Sequence, residues 1–154
     1  LIGQIYLNQF GAKLLGDSEC MEVAGDSTLL MHGDLLCSDD VDYLAFRAIA
    51  HNPEWQAEML SKSLEERRAL AKQLRMMSKE AASNKAEDIM DVNDDTVRSV
   101  MAEHDVKRLI HGHTHRPYRH PMLSAERIVL GDWNRTGWCL RERGRSLELR
   151  EFSL

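Results

Sequence analysis

Histidine next to glycine occurs twice in the chain, each time directly after a short apolar run. Leu29-Leu30-Met31 leads into His32-Gly33-Asp34, and Val106 to Ile110 leads into His111-Gly112-His113-Thr114-His115. A neutral imidazole is a good ligand for zinc, manganese or iron. The i, i+2 spacing of His113 and His115 sets both rings on one side as long as the backbone stays extended. Gly33 and Gly112 permit positive φ and let the backbone approach an ion or a phosphate closely. The apolar runs read as strands, and in open α/β sheets ligands bind outside the carboxyl ends of strands. The chemistry these residues suit is directed at a metal or a phosphate.

Each residue also has a plainer reading. A lone strand-end histidine such as His32 is more often a polar residue opening a loop. His111, His113 and His115 are harder to explain that way, because three imidazoles in so short a run crowd one another unless something uses them. His51, His104 and His120 fall at expected helix or loop ends and need no special role. Asp34, Asp39 and Asp40 serve equally well as a solvated turn and a helix cap.

The elements that must position these residues follow from periodicity and breakers. Ile5, Leu7, Phe10 and Leu14 are near helical spacing and predict a short helix over 3–14, weakened by Gly11. Residues 20–24 and 28–32 read as two strands with Gly25-Asp26-Ser27 as their turn. The continuous run Leu29-Leu30-Met31 suits a strand covered on both faces. Ser38, Asp39 and Asp40 supply capping oxygens for a helix over about 40–51, ended by Asn52-Pro53. Residues 54–77 and 79–91 read as two further helices, and Asn93, Asp94 or Asp95 caps another in which Val97, Val100 and Met101 recur at i, i+3 and i+4. Val106–Ile110 and Ile128-Val129-Leu130 are short strands, and 137–142 with 147–152 form a closing hairpin around Gly144-Arg145-Ser146. The expected fold class is α/β, a mixed sheet with covering helices and a helical insertion at about 40–92.

Composition narrows the function classes. The chain has 154 residues, 43% hydrophobic and 29% charged, as a soluble globular domain does. No apolar run approaches the ~20 residues of a transmembrane helix. A net charge of −5 argues against general attraction to nucleic acid, so no nucleic-acid partner is expected. Cys20, Cys37 and Cys139 are too few and too scattered for a disulfide framework or a zinc ribbon, which points to a reducing cytoplasm. Arg67, Arg68, Lys72, Arg75 and Lys79 make one helical face basic against the sign of the whole chain. The start at Leu1-Ile2-Gly3, without an initiator Met, suggests a piece of a longer protein.

Met31-His32-Gly33-Asp34 and Gly112-His113-Thr114-His115 resemble the last two motifs of the calcineurin-like metallophosphoesterases. The likeness tightens to one branch, the UDP-2,3-diacylglucosamine hydrolases of lipid A biosynthesis. It is carried by Leu30 to Asp40 with Tyr43, Phe46 and Arg47, and by Ser78-Lys79-Glu80 with Lys85. Ile89 to Val92, Leu109 to Pro117 and Arg127 to Trp133 extend it along the chain. Gly-His-x-His alone marks only the superfamily; the other stretches are specific. Family members carry three more ligand motifs upstream, and Leu1-Ile2-Gly3 corresponds to the residues just after the last of them. The resemblance therefore implies the C-terminal part of a metallophosphoesterase αββα sandwich. Residues 1–154 would form one incomplete domain, with 40–92 as a helical lid within it.

The same resemblance implies a reaction and its residues. Two divalent metal ions, usually manganese, would be bound, with His32 and His113 on one ion and His115 on the other. His113 would also neighbour phosphate and be the catalytic histidine of this portion. Asp40, Tyr43, Ser78 and Lys85 match substrate-binding positions, whereas Ala82 departs from the polar residue common at its place. The implied activity is hydrolysis of the pyrophosphate bond of UDP-2,3-diacylglucosamine, giving UMP and 2,3-diacylglucosamine 1-phosphate (lipid X). The implied partners are a lipid-linked nucleotide and the anionic cytoplasmic face of the inner membrane, where the protein would be peripheral. In isolation residues 1–154 would be inactive. Two other readings stand beside this one: a metallophosphoesterase acting on another nucleotide, such as a dinucleoside polyphosphate, and a non-catalytic module with a residual histidine cluster.

Overall fold

Apolar stretches that lie far apart in sequence pair side by side in space, and that pairing creates the frame of the site. The computed structural model describes residues 3–83 and 89–154. It divides into two compact units: Leu1–Asp34 together with Val97–Leu154, and Leu35–Thr96.

The first unit is built on a five-stranded sheet. Its strands are β1 (Ser18–Val23), β2 (Asp26–Met31), β3 (Arg108–His111), β4 (Tyr118–Pro121) and β5 (Glu126–Val129), in the order β1-β2-β3-β5-β4. β2, β3 and β5 are mutually parallel, with Leu29 opposite Leu109 and Ile110 opposite Ile128. Edge strands β1 and β4 run antiparallel to their neighbours. Leu29, Leu109 and Ile128 are fully buried, each worth about 1.5–3 kcal/mol of hydrophobic stabilisation. Every residue of β3 is buried, as expected of a central parallel strand. A second sheet, the hairpin β6 (Thr136–Arg143) and β7 (Ser146–Ser153), packs Leu147 against Ala24, Ile110 and Ile128.

Three local features differ from the sequence reading. The β1–β2 turn is the two-residue Ala24-Gly25, with φ of 53° and 83°, and Asp26 and Ser27 belong to β2. Positive φ at both central residues is the hairpin turn whose twist suits the flanking strands. The periodicity gave no sign of β4, because Tyr118-Arg119-His120-Pro121 is polar and ends in proline. An edge strand tolerates both. The N-terminal helix is brief, α1 (Gln4–Leu7) followed by a 3-10 turn, and it leaves Ile5, Phe10 and Leu14 exposed.

The second unit is helical. α2 (Val41–Ala50) is capped by Asp40, whose carboxylate accepts from the Tyr43 amide at 3.0 Å. α3 (Pro53–Ser61) starts at Asn52, which accepts from the amides of Glu54 and Trp55, with Pro53 in the first turn. The helix expected over 54–77 is broken at Lys62-Ser63, and α4 (Leu64–Ser83) follows. The break has a cause. Ser63 and Glu66 form a reciprocal capping box: the Ser63 amide and hydroxyl donate to the Glu66 carboxylate, and the Glu66 amide returns to the Ser63 hydroxyl. Those bonds hold the Glu66 carboxyl below its ordinary pKa. Among the three candidate caps for α5 (Asp94–Glu103), Asn93 is the one that acts, accepting from the Asp95 and Thr96 amides at 3.0 Å. Asn93 also donates to Asp39, and Cys37 contacts the Met90 carbonyl. Val41, Phe46, Ile49, Leu60, Leu64, Met76 and Met77 remain exposed on these helices. Among the described residues no helix is long and apolar enough to cross a membrane.

Candidate metal and phosphate site

Because β2, β3 and β5 are parallel, their carboxyl ends share one edge of the sheet. β2 delivers His32-Gly33-Asp34 there, and β3 delivers His111 to His115. The two loops are tied by backbone: the Gly112 amide donates to the His32 carbonyl at 2.9 Å, and the Leu130 amide after β5 donates to the His111 carbonyl at 2.8 Å.

His32 and His113 meet across this edge. His32 Nε2 lies 3.3 Å from His113 Nδ1, and the rings stand edge to face with centroids 5.0 Å apart. Without an ion, one of the two nitrogens must carry the proton and donate to the other. Were an ion bound here, these are the two nitrogens that would hold it. Two imidazole nitrogens each ~2.05 Å from one tetrahedral zinc lie about 3.3 Å apart, so the pair already has the spacing of two ligands on one cation. Between His113 and His115, the Thr114 hydroxyl oxygen is buried with no hydrogen-bond partner among the described residues. It is an oxygen in want of a ligand or a donor. Among the described residues no three His, Cys, Asp or Glu side chains converge as a complete cation site.

The His113 segment is not extended, contrary to the condition that would put rings 113 and 115 on one side. His113 has φ of 63°, His115 has φ of 53°, and the Thr114 amide donates to the Gly112 carbonyl at 2.8 Å. A three-residue turn of this kind, with positive φ at a non-glycine centre, is rare and strained. Here it swings the His113 ring toward His32. His115 is exposed.

The third histidine of the run has a different job. His111 is 1% exposed. Its Nδ1 donates to the Gly112 carbonyl at 2.9 Å, and its Nε2 accepts from Arg127 Nη1 at 3.2 Å. Gly33, with φ of 108°, passes directly over this ring; a Cβ there would sit 2.7 Å from His111 Nδ1. The glycine is therefore demanded by close approach as well as by backbone. Sequence reasoning did not assign Arg127 a role, although an arginine opening the apolar run Ile128-Val129-Leu130 was a signal that something buried would need its charge.

The remaining predicted residues lie in the helical unit. Asp40 serves as the α2 cap, Tyr43 sits in the first turn of that helix, and Ser78 is exposed on α4. Lys85 lies outside the described residues.

No protein-family model matches the chain. Curated relatives do match it, three of them under one name. A UDP-2,3-diacylglucosamine hydrolase of Cellvibrio japonicus is 49% identical over 158 residues, covering 100% of this chain and 66% of the relative. The protein of the same name from Chromohalobacter salexigens is 48% identical over 160 residues, covering 99% and 65%. That of Pseudomonas entomophila is 44% identical, covering 99% and 66%. The chain belongs to the UDP-2,3-diacylglucosamine hydrolase family. It spans 65–66% of the length of these hydrolases. A solved structure, Vacuolar Protein Sorting 29 from Cryptosporidium parvum, overlaps 90% of the chain at a TM-score of 0.39 and 10% identity. At that level the overlap says nothing about this member of the hydrolase family.

Proposed function

We propose that this chain is the part of a UDP-2,3-diacylglucosamine hydrolase that supplies His32, His113 and His115 to a two-ion centre. The whole enzyme would cut the pyrophosphate bond of its substrate to UMP and lipid X. The observation that carries the reading is the 3.3 Å approach of His32 Nε2 and His113 Nδ1, in a chain 49% identical to a protein of that name. The Thr114 hydroxyl, buried and without a hydrogen-bond partner among the described residues, fits a site for a cation and a phosphate. His32 and His113 would hold one ion and His115 the other, with manganese the expected metal. The remaining ligands would come from the part of the family's length that this chain does not span. Divalent ions supply neutralisation of phosphate oxygens and acidify water.

Within this reading, Asp40, Tyr43, Ser78 and Lys85 contact the substrate, Lys85 as a flexible point charge for phosphate. Residues 40–92 act as the lid of a metallophosphoesterase sandwich. The exposed Phe46, Ile49, Leu60, Met76 and Met77 support an acyl-chain shelter, because a soluble nucleotide needs none. Arg68, Lys72 and Arg75, all exposed on α4, would meet the anionic inner leaflet from the cytoplasmic side, each adding about 1 kcal/mol near the surface.

The test compares UMP release from UDP-2,3-diacylglucosamine with hydrolysis of a dinucleoside tetraphosphate by the protein of full family length, before and after exhaustive chelation. Preference for the lipid-linked nucleotide, lost on chelation and restored by Mn2+, is expected. Preference for the tetraphosphate, or activity unchanged by chelation, overturns the reading.

A further inference from the structure

We propose that His111, backed by Arg127, is a positioning residue for the histidine pair: a buried brace that holds the strained His113 turn against the His32 loop. The inference rests on the reading of His32 and His113 as ion ligands.

Gly112 is the joint. Its amide holds the His32 carbonyl, and its own carbonyl receives both the Thr114 amide and His111 Nδ1. A non-glycine residue at φ of 63° persists only where its surroundings over-determine it. The His111 bond to the Gly112 carbonyl is one of the constraints that do so. The ring also fills the space left by Gly33, so one side chain touches both ligand-bearing loops.

The polarity of the ring is used as well as its volume. Donation from Nδ1 to a carbonyl and acceptance at Nε2 from a guanidinium are both met by a single neutral tautomer, Nδ1–H. A phenylalanine or leucine would fill the same space without burying two polar nitrogens, so a mere core filler has no need of Arg127. Arg127 is itself 8% exposed, and it fixes the tautomer that aims the proton at Gly112. This is the arrangement by which groups behind a ligand set its orientation.

The experiment uses the protein of full family length, with Mn2+ as the probe. His111→Phe removes both hydrogen bonds at similar volume. His111→Asn keeps a donor near the Nδ1 position and loses the Arg127 bond. For His111→Phe the expected result is a loss of Mn2+ affinity by titration calorimetry, and of kcat, of about 10–100-fold with KM little changed. His111→Asn should recover part of both. Long-range nitrogen–proton NMR of the unsubstituted protein should show His111 as the Nδ1–H tautomer. If His111→Phe fails to fold, Arg127→Met is read in its place and should lower Mn2+ affinity in the same direction. His113→Ala is run alongside. If it loses activity and Mn2+ while folded His111→Phe keeps both, the brace is wrong and the metal reading stands. If His113→Ala itself keeps both, the underlying reading has failed. An Nε2–H tautomer at His111 also overturns the brace.

Discussion

Arg108 and Glu126 face each other in register on adjacent parallel strands, and their side chains meet at 2.7 Å. Arg108 also reaches Asp26, the Val23 carbonyl and the Thr28 hydroxyl, and Glu126 is shared with Arg119. Burial by itself would raise the Glu126 carboxyl. Hydrogen bonds from Arg108 and Arg119, together with their charges, outweigh it and leave the pKa below its ordinary value. Glu126 therefore adds stability that is complete above its unfolded pKa of ~4.3 and is lost as pH falls through the lower folded value. Glu126→Gln should cost about 1–3 kcal/mol at neutral pH, because it leaves the more buried Arg108 under-compensated. The loss should shrink on acidification below about pH 4. Arg108→Met should cost at least as much, since it also strips Asp26, the Val23 carbonyl and the Thr28 hydroxyl of their donor. Urea denaturation of each variant across pH checks the order, and equal losses at pH 7 and pH 3 would contradict it.

Gly33 and Gly144 both have positive φ, 108° and 60°, but only Gly33 is crowded; nothing lies within 4 Å of a Cβ at Gly144. Gly144→Ala should therefore cost about 1 kcal/mol, the backbone penalty alone. Gly33→Ala must also displace His111 and should cost about 2–4 kcal/mol. Comparison of their unfolding midpoints decides it, and comparable shifts would mean the His111 loop yields easily.

Replacement of His113 by alanine in the protein of full family length should remove an ion contact and a phosphate contact together. Activity should fall at least 100-fold while the far-ultraviolet circular dichroism is unchanged. Residues 1–154 by themselves should release no measurable UMP. Turnover by the isolated chain near that of the full-length protein would contradict the proposal that further ligands come from the rest of the family's length.

The basic face of α4 gives a prediction about surfaces. Reversing charge at Arg68, Lys72 and Arg75, the exposed cations of this face, should weaken binding to anionic vesicles, most strongly at low salt, where these charges are least screened. Hydrolysis of substrate dispersed in neutral detergent should barely change. Unaltered vesicle binding would make the face an ordinary solvated one.

How much of this was legible beforehand differs from residue to residue. The buried strands showed themselves through Leu29-Leu30-Met31 and Val106 to Ile110, because a strand covered on both faces is apolar throughout. Asp40 was legible as one of three candidate caps, since capping is local chemistry, whereas Asn52-Pro53 spoke only for the end of the helix before it. The Ser63 cap was overlooked although Ser-x-x-Glu is visible in the sequence; a long charged stretch with helical spacing on both sides hid the break. β4 left no trace, because an edge strand needs little apolar character. At the site, the residue types announced the histidines but could not divide their labour. His111 is separated from His113 by burial and by Arg127, a partner from another strand that no spacing rule within the run could supply. The positive φ of His113 was likewise invisible, because it is imposed by tertiary constraints against the residue's own preference.

His32 and His113 lie 81 positions apart. At ~5–20 residues per second, a ribosome needs about 4–16 s to pass from one to the other. Throughout that interval β1 and β2 can close as a local hairpin, but the edge of β2 that will receive β3 has no partner. Its Leu29 and Leu30 are then an open template for another nascent chain. The arrangement that carries both histidines to one edge thus exposes the protein during its own synthesis, and conditions that slow translation between these residues should lower soluble yield more than equal delays elsewhere.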